Sequence, residues 1–240
     1  MSGAPRVLLL HGGGVAGWMW DSLRRTLEPN RSVLVPDLPG HGRSADESYT
    51  SHAETVAALA RSMRATAGDQ VVTVVGFSLG AQLALRLASE HPDLVSQAVI
   101  VSAQAKPLPL TRFTLAVLGK SAPLTRRRWF ARLQARELFV PAHMLEEYIS
   151  TSAGITKESL LAAVGDNLRF ELPDEWALFP GRALIMVGGR ERRLMRESAA
   201  PIHAAHPRSE LSVVDGCGHG IPLQRPEWFN DRVVRWLDAE

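Results

Sequence analysis

Val71-Val72-Thr73-Val74-Val75-Gly76-Phe77-Ser78-Leu79-Gly80, continued by Ala81-Gln82-Leu83-Ala84-Leu85-Arg86-Leu87-Ala88, decides how this chain folds. Four of the first five residues are valine, a β-branched run that predicts a short strand buried on both faces. After Gly80 the period changes: Leu79, Leu83 and Leu87 fall four apart, as on one stripe of a helix. Between strand and helix stands Gly76-x-Ser78-x-Gly80. So sharp a turn forces its central residue into a strained backbone conformation and crowds the residues two before and two after, so both must be small. The expected result is a serine hydroxyl at the tip of a strand beside a helix N-terminus, a nucleophile elbow. The competing reading is a plain glycine-rich turn; the strand before and the helix after favour Ser78 as a nucleophile.

Outward from this turn, the chain alternates. Val7-Leu8-Leu9-Leu10 reads as a buried strand running into His11-Gly12-Gly13-Gly14, whose glycines leave backbone N–H groups open to an anion or oxyanion. A phosphate loop would need a Gly-Lys-Ser/Thr ending or a GxGxxG, and neither is present. A helix over Trp18–Leu27 and the strand Val33-Leu34-Val35 follow, then the turn-rich Asp37-Leu38-Pro39-Gly40-His41-Gly42-Arg43-Ser44, in which His41 reads as a structural turn residue. Ser51-x-x-Glu54 is a capping box opening a helix that ends at Gly68. Past the elbow helix, stopped by His91-Pro92, comes the strand Ala98–Val101. Strands alternating with helices predict βα units and a parallel sheet.

The alternation breaks between Lys106 and Pro173, where only helical pieces are legible: Arg112–Leu118 before Gly119, Leu124–Val140, His143–Ser150 and Lys157–Leu168. The expected organisation is a core of residues 1–105 and 174–240 with a helical cap, 106–173, over the carboxyl edge of the sheet. The apolar residues of such a cap could line a substrate pocket, or pack the cap onto itself. The alternation resumes with Ala183–Val187, Gly188-Gly189-Arg190-Glu191, a helix around Glu197–Ala205, the strand Leu211–Val214, the loop Asp215-Gly216-Cys217-Gly218-His219-Gly220 and a final helix opened by Pro226.

At 240 residues the chain suits one large α/β domain with room for an insertion. Its 27 basic and 25 acidic residues leave a net charge of +2, too balanced to argue for a nucleic-acid partner. Arg126 to Arg128 and Arg190 to Arg193 are the densest cationic runs and read as solvated faces. A lone cysteine, Cys217, read as a small buried residue, rules out an internal disulfide framework and points to a reducing compartment. No signal-like or membrane-spanning stretch is legible, so a cytoplasmic protein is expected. Metal-ligand spacings such as HExxH are absent. The oligomeric state is not legible.

In open parallel sheets chemistry collects at the carboxyl ends of the strands, and Ser78, Glu191 and His219 fall there in chain order. A serine hydroxyl is a weak nucleophile until an imidazole takes its proton. His219 is the expected base, later the acid that protonates the leaving group. His52, His91, His143, His203 and His206 fall on predicted helices or their ends and are expected at the surface. No carboxylate follows Ala98–Val101, because Ser102-Ala103-Gln104-Ala105 is neutral, and Asp215 is too near His219 in sequence to be a good rival for Glu191.

The His-Gly-Gly-Gly loop, Asp37-x-x-Gly40-His41-Gly42-x-Ser44, the Gly-Phe-Ser-Leu-Gly elbow and Gly218-His219 together resemble the α/β-hydrolase fold superfamily over essentially the whole chain. The likeness is greatest to smaller capped members: esterases, cofactor-free haloperoxidases and carbon–carbon bond hydrolases. The resemblance implies a mostly parallel open sheet flanked by helices, with a strand numbering that starts at the family's third strand. It implies oxyanion donors at the backbone N–H groups of Gly13 and Leu79. It also implies an acid after Ala183–Val187, usually aspartate; Glu191 stands there, one methylene longer. Trp18 and Met19, just beyond the oxyanion loop, could line the pocket or pack the core.

The reading reached is a cofactor-independent serine hydrolase that cleaves a small-molecule ester or thioester bearing an apolar group. Carbon–carbon cleavage or lyase chemistry on the same fold is the first alternative. A non-catalytic small-molecule receptor is the second, kept open by the glutamate.

Overall fold

The computed structural model describes residues 6–67, 70–122, 124 and 127–239. The expected helix end at Gly68, and Arg126, lie outside these residues.

The strand before the elbow, β3 (Val72–Phe77), is buried along its full length. It lies between β1 (Arg6–Leu10) and β4 (Val95–Val101), parallel to both. Beyond β1 comes β2 (Ser32–Leu34), and beyond β4 come β5 (Arg182–Gly188) and β6 (Ser209–Val214). Every pairing in the order β2-β1-β3-β4-β5-β6 is parallel, so each connection crosses over the sheet and each strand delivers its C-terminus to one edge.

Both faces are covered. Leu8, Leu10, Val72 and Val74 meet α2 (His52–Ala67) and α3 (Leu79–Glu90) through Val56, Leu83 and Leu87. Alternate residues Val7, Leu9, Val75 and Phe77 point the other way. They pack on Leu23 and Leu27 of α1 (Asp21–Leu27) and, near the end of the chain, on Phe229, Val233 and Trp236. A strand buried on both sides has no polar face to alternate with, which is why these strands read as unbroken apolar runs.

Among the described residues between β4 and β5 the α-helices are α4 (Thr111–Ser121), α5 (Arg128–Glu137), α6 (Leu145–Gly154) and α7 (Lys157–Arg169). α4 packs on α7 and α5 on α6, and α7 also meets α3 of the core. Among the described residues of this stretch there is no strand. The expected break at Gly119 is absent, because that glycine lies inside α4 against Leu161 and Lys157 of α7. Of the single helix expected over Leu124–Val140, the α-helical part among the described residues is α5. After β5 come α8 (Arg193–Ala204), then β6, the short α9 (Ile221–Gln224) and α10 (Pro226–Asp238).

Two histidines expected at the surface are buried. His52 opens α2 inside a network with Tyr49 Oη at 2.8 Å and Gln82 Oε1 at 2.9 Å. His206 packs against the rings of Trp176 and Phe179. In both cases a partner distant in sequence provides the burial. No helix among the described residues is long and apolar enough to cross a membrane.

Candidate active site

Ser78 sits at φ 54° and ψ −112°, outside the regions open to most L-residues. A Cβ at Gly76 would lie 2.2 Å from the carbonyl oxygen of Gly80, and one at Gly80 2.2 Å from that of Leu10. Both positions therefore admit only glycine. The strained residue is held by its own N–H, which donates to Val101 O at 2.9 Å, and by Ala81 and Gln82, whose N–H groups donate to its carbonyl oxygen. Strain persists only where the surroundings over-determine it, and this turn is so determined.

The loops after β5 and β6 bring the remaining groups. His219 Nε2 lies 3.0 Å from Ser78 Oγ, and His219 Nδ1 lies 2.9 Å from Glu191 Oε2. Glu191 is not a surface glutamate among arginines: its side chain has no exposed area. Its other oxygen, Oε1, accepts from Gly188 N–H at 2.8 Å and from Ser102 Oγ at 2.6 Å. A carboxylate held by two donors presents its free oxygen to Nδ1, so Nδ1 carries the proton and Nε2 is left to accept one from the serine. The two loops meet backbone to backbone, since a Cβ at Gly188 would fall 2.4 Å from Gly218 O. Phe77, one residue before the serine, places its ring 5.0 Å from that of His219.

Ser102 is the residue that sequence reasoning missed. The stretch after β4 carries no carboxylate, and its neutrality hides a hydroxyl that holds one. Ser102 is buried and has φ 56°, a second non-glycine residue bent at a strand end. A serine directly after a buried strand was the only available signal.

Gly13 and Leu79 flank Ser78, and neither backbone N–H donates to another group among the described residues. Gly12 lets this loop close down, because a Cβ there would lie 2.8 Å from the Phe77 ring. His11 fixes the loop from beneath. Its Nε2 accepts from Leu38 N–H at 2.8 Å and its Nδ1 lies 2.8 Å from Gly12 O, so it is the neutral tautomer with hydrogen on Nδ1. Burial first, and His41 second, push its pKa down to about 3. His41 is the turn residue expected, with Nδ1 2.9 Å from Pro39 O, and it also borders the cleft. Burial lowers its pKa as well.

The cleft over Ser78 has a volume of about 420 Å³. Leu79, Leu138, Ile155, Leu160, Ala163 and Val164 form its apolar wall, mostly contributed by the segments between β4 and β5. Neither Trp18 nor Met19 borders it. Both are buried in the apolar cluster on one face of the sheet; Trp18 packs against Tyr148, and its Nε1 donates to Thr151 Oγ1 of α6 at 3.1 Å. Cys217 is buried beneath the His219 loop, which raises its thiol pKa. Among the described residues no group of three metal-ligating side chains converges.

A model of the alpha/beta hydrolase family matches residues 7–232. The chain belongs to the alpha/beta hydrolase family. Within it, an esterase of Mycobacterium tuberculosis is 30% identical over 98% of this chain and 84% of its own length. The pimeloyl-[acyl-carrier protein] methyl ester esterase of Vibrio vulnificus is 28% identical over 94% of this chain and 91% of its own. Among solved structures, an esterase from Exiguobacterium antarcticum superposes with a TM-score of 0.84 at 20% identity, over 100% of this chain and 94% of that one. The open parallel sheet flanked by helices is this hydrolase fold.

Proposed function

We propose that this hydrolase is a serine esterase or thioesterase that works through an acyl-enzyme. The observation that carries the reading is the continuous run Ser78 Oγ, His219 Nε2, His219 Nδ1, Glu191 Oε2, with separations of 3.0 and 2.9 Å, opening on a cleft. Ser78 Oγ attacks the substrate carbonyl carbon while its proton passes to His219 Nε2. Glu191 stabilises the imidazolium and fixes the tautomer. Negative charge collecting on the carbonyl oxygen is received by the N–H groups of Gly13 and Leu79, and losing one such donor costs about 3 kcal/mol of transition-state stabilisation. Nε2 then returns the proton to the leaving alcohol or thiol, whose bond to the acyl carbon breaks. Water repeats the sequence on the acyl-Ser78 ester, with His219 again as base.

Residues 106–173 act as the cap. Their apolar wall favours an acyl chain or ring over a polar acid, and a volume of about 420 Å³ falls within the range of small-molecule sites. The two esterases among the relatives support ester chemistry of this kind.

A panel of aryl esters graded by acyl length tests the reading. The expected result is Ser78-dependent turnover that rises with acyl length until the cleft is filled. Trace rates on every ester, equal in Ser78→Ala, would overturn it in favour of carbon–carbon cleavage or a binding protein.

A further inference from the structure

A second cavity, of about 480 Å³, is bordered by His219 and adjoins the cleft over Ser78. Ser78 borders the first cleft, and His219, 3.0 Å from it, borders the second. The two spaces share Glu137, Leu138 and Arg192 as a common wall. Arg136, from the end of α5, and Arg190, from the loop that carries Glu191, complete the cationic lining with Arg192.

None of these three guanidinium groups has a partner among the described residues. Two neighbours do. Arg193 is paired with Glu197, and Arg128 at the start of α5 is paired with Glu146. Exposed Arg132 and Arg196 on the same elements also lack a salt bridge among the described residues; what sets Arg136, Arg190 and Arg192 apart is that all three border one cavity. Two acids share the lining: Glu137 at the rim, and Glu191, whose oxygens are committed to Ser102, Gly188 and His219. The backbone beneath Arg190 is fixed, since its N–H donates to Cys217 O at 2.9 Å.

We propose that this cavity is a subsite for an anionic group, a carboxylate or phosphate, on the leaving-group side of the substrate. The side follows from the mechanism, on whose serine-hydrolase reading this inference rests: the group that departs must lie within reach of His219 Nε2, and the cavity begins at His219. Planar guanidinium groups bind carboxylate and phosphate oxygens in a two-pronged manner that a lysine cannot copy. The substrate class is therefore an ester or thioester with an apolar acyl part and an anionic alcohol or thiol part.

The test compares para-carboxyphenyl butyrate with para-carbamoylphenyl butyrate, which match in shape and differ in charge. The expected ratio of kcat/KM, anionic over neutral, is about tenfold or more in wild type, falling by about tenfold in an Arg136→Gln/Arg190→Gln/Arg192→Gln variant, as two or three exposed ion pairs would give. A ratio near one in wild type, or one unmoved by the variant, overturns the subsite and leaves the hydrolase reading intact. Calorimetry on Ser78→Ala with para-hydroxybenzoate and para-hydroxybenzamide separates the two failures. If neither ester is cleaved, arginine-dependent preference for the benzoate upholds the subsite and rejects ester hydrolysis. Equal binding of the two rejects the subsite.

Discussion

Glu191 carries the charge that His219 faces, and Ser102 and Gly188 decide where that charge sits. Glu191→Gln keeps the shape but presents an amide to Nδ1, which favours the wrong tautomer. We expect kcat to fall by roughly 10³ to 10⁴ in the ester assay, with KM little changed. Undiminished turnover would mean that another group supplies the charge. Ser102 lends itself to a paired test. Alanine there removes the donor to a buried carboxylate and keeps the strain of φ 56°. Glycine removes the same donor but relieves the strain. In urea unfolding, Ser102→Ala should cost about 1–3 kcal/mol, and Ser102→Gly about 1 kcal/mol less than alanine. Equal losses would mean that the bent backbone stores nothing. Ser78, Glu191 and His219 were legible because each lies just after a readable strand in a glycine-marked loop. Ser102 was not, because its meaning comes from a residue 89 positions away.

α7 shows how the cleft depends on the inserted segment being held in place. It supplies Leu160, Ala163, Val164 and Asn167 to the cleft and is tied to the core by polar contacts. Asp166 Oδ2 accepts from His52 N–H at 2.7 Å, and Ser159 Oγ accepts from Tyr49 N–H at 3.1 Å. Gln82 Nε2 donates to Gln104 O at 2.8 Å, which leaves its carbonyl oxygen for His52. Asp166→Ala should raise KM for long acyl esters several-fold and speed hydrogen exchange in residues 157–169 more than in β3. Uniform faster exchange would show instead that the helix and the sheet unfold as one. Periodicity predicts α7 to within a residue of its ends, because that signal is local. It could not announce that His52 would be buried under it. Nor could it separate Arg190 and Arg192, which border a cavity, from Arg193, which is paired on the surface.

Across the molecule, the sheet edge collects every group under discussion, and two buried histidines beside it make the fold sensitive to acid. His11 has its pKa lowered from 6.5 to about 3 by burial, so the unfolded chain takes up a proton that the folded chain refuses. Stability from this group is full above pH 6.5 and is lost as pH falls toward 3. The loss is at most ~1.4 kcal/mol per pH unit. His41 is lowered in the same direction by burial and adds to the slope. Asp166, lowered from 3.8 to about 2 chiefly by its hydrogen bond with His52, adds a further loss only below 3.8. Denaturant melts at pH ~7 and ~5 should therefore show a marked drop in wild type and a smaller one in His11→Gln, which keeps an acceptor for Leu38 N–H. Equal slopes would place the acid sensitivity elsewhere.

A fluorophosphonate probe read by intact mass tests directly whether Ser78 is a nucleophile activated by His219. One adduct per chain is expected, absent from Ser78→Ala and formed far more slowly by His219→Ala. No adduct on the wild type, or one that survives in Ser78→Ala, would contradict that role.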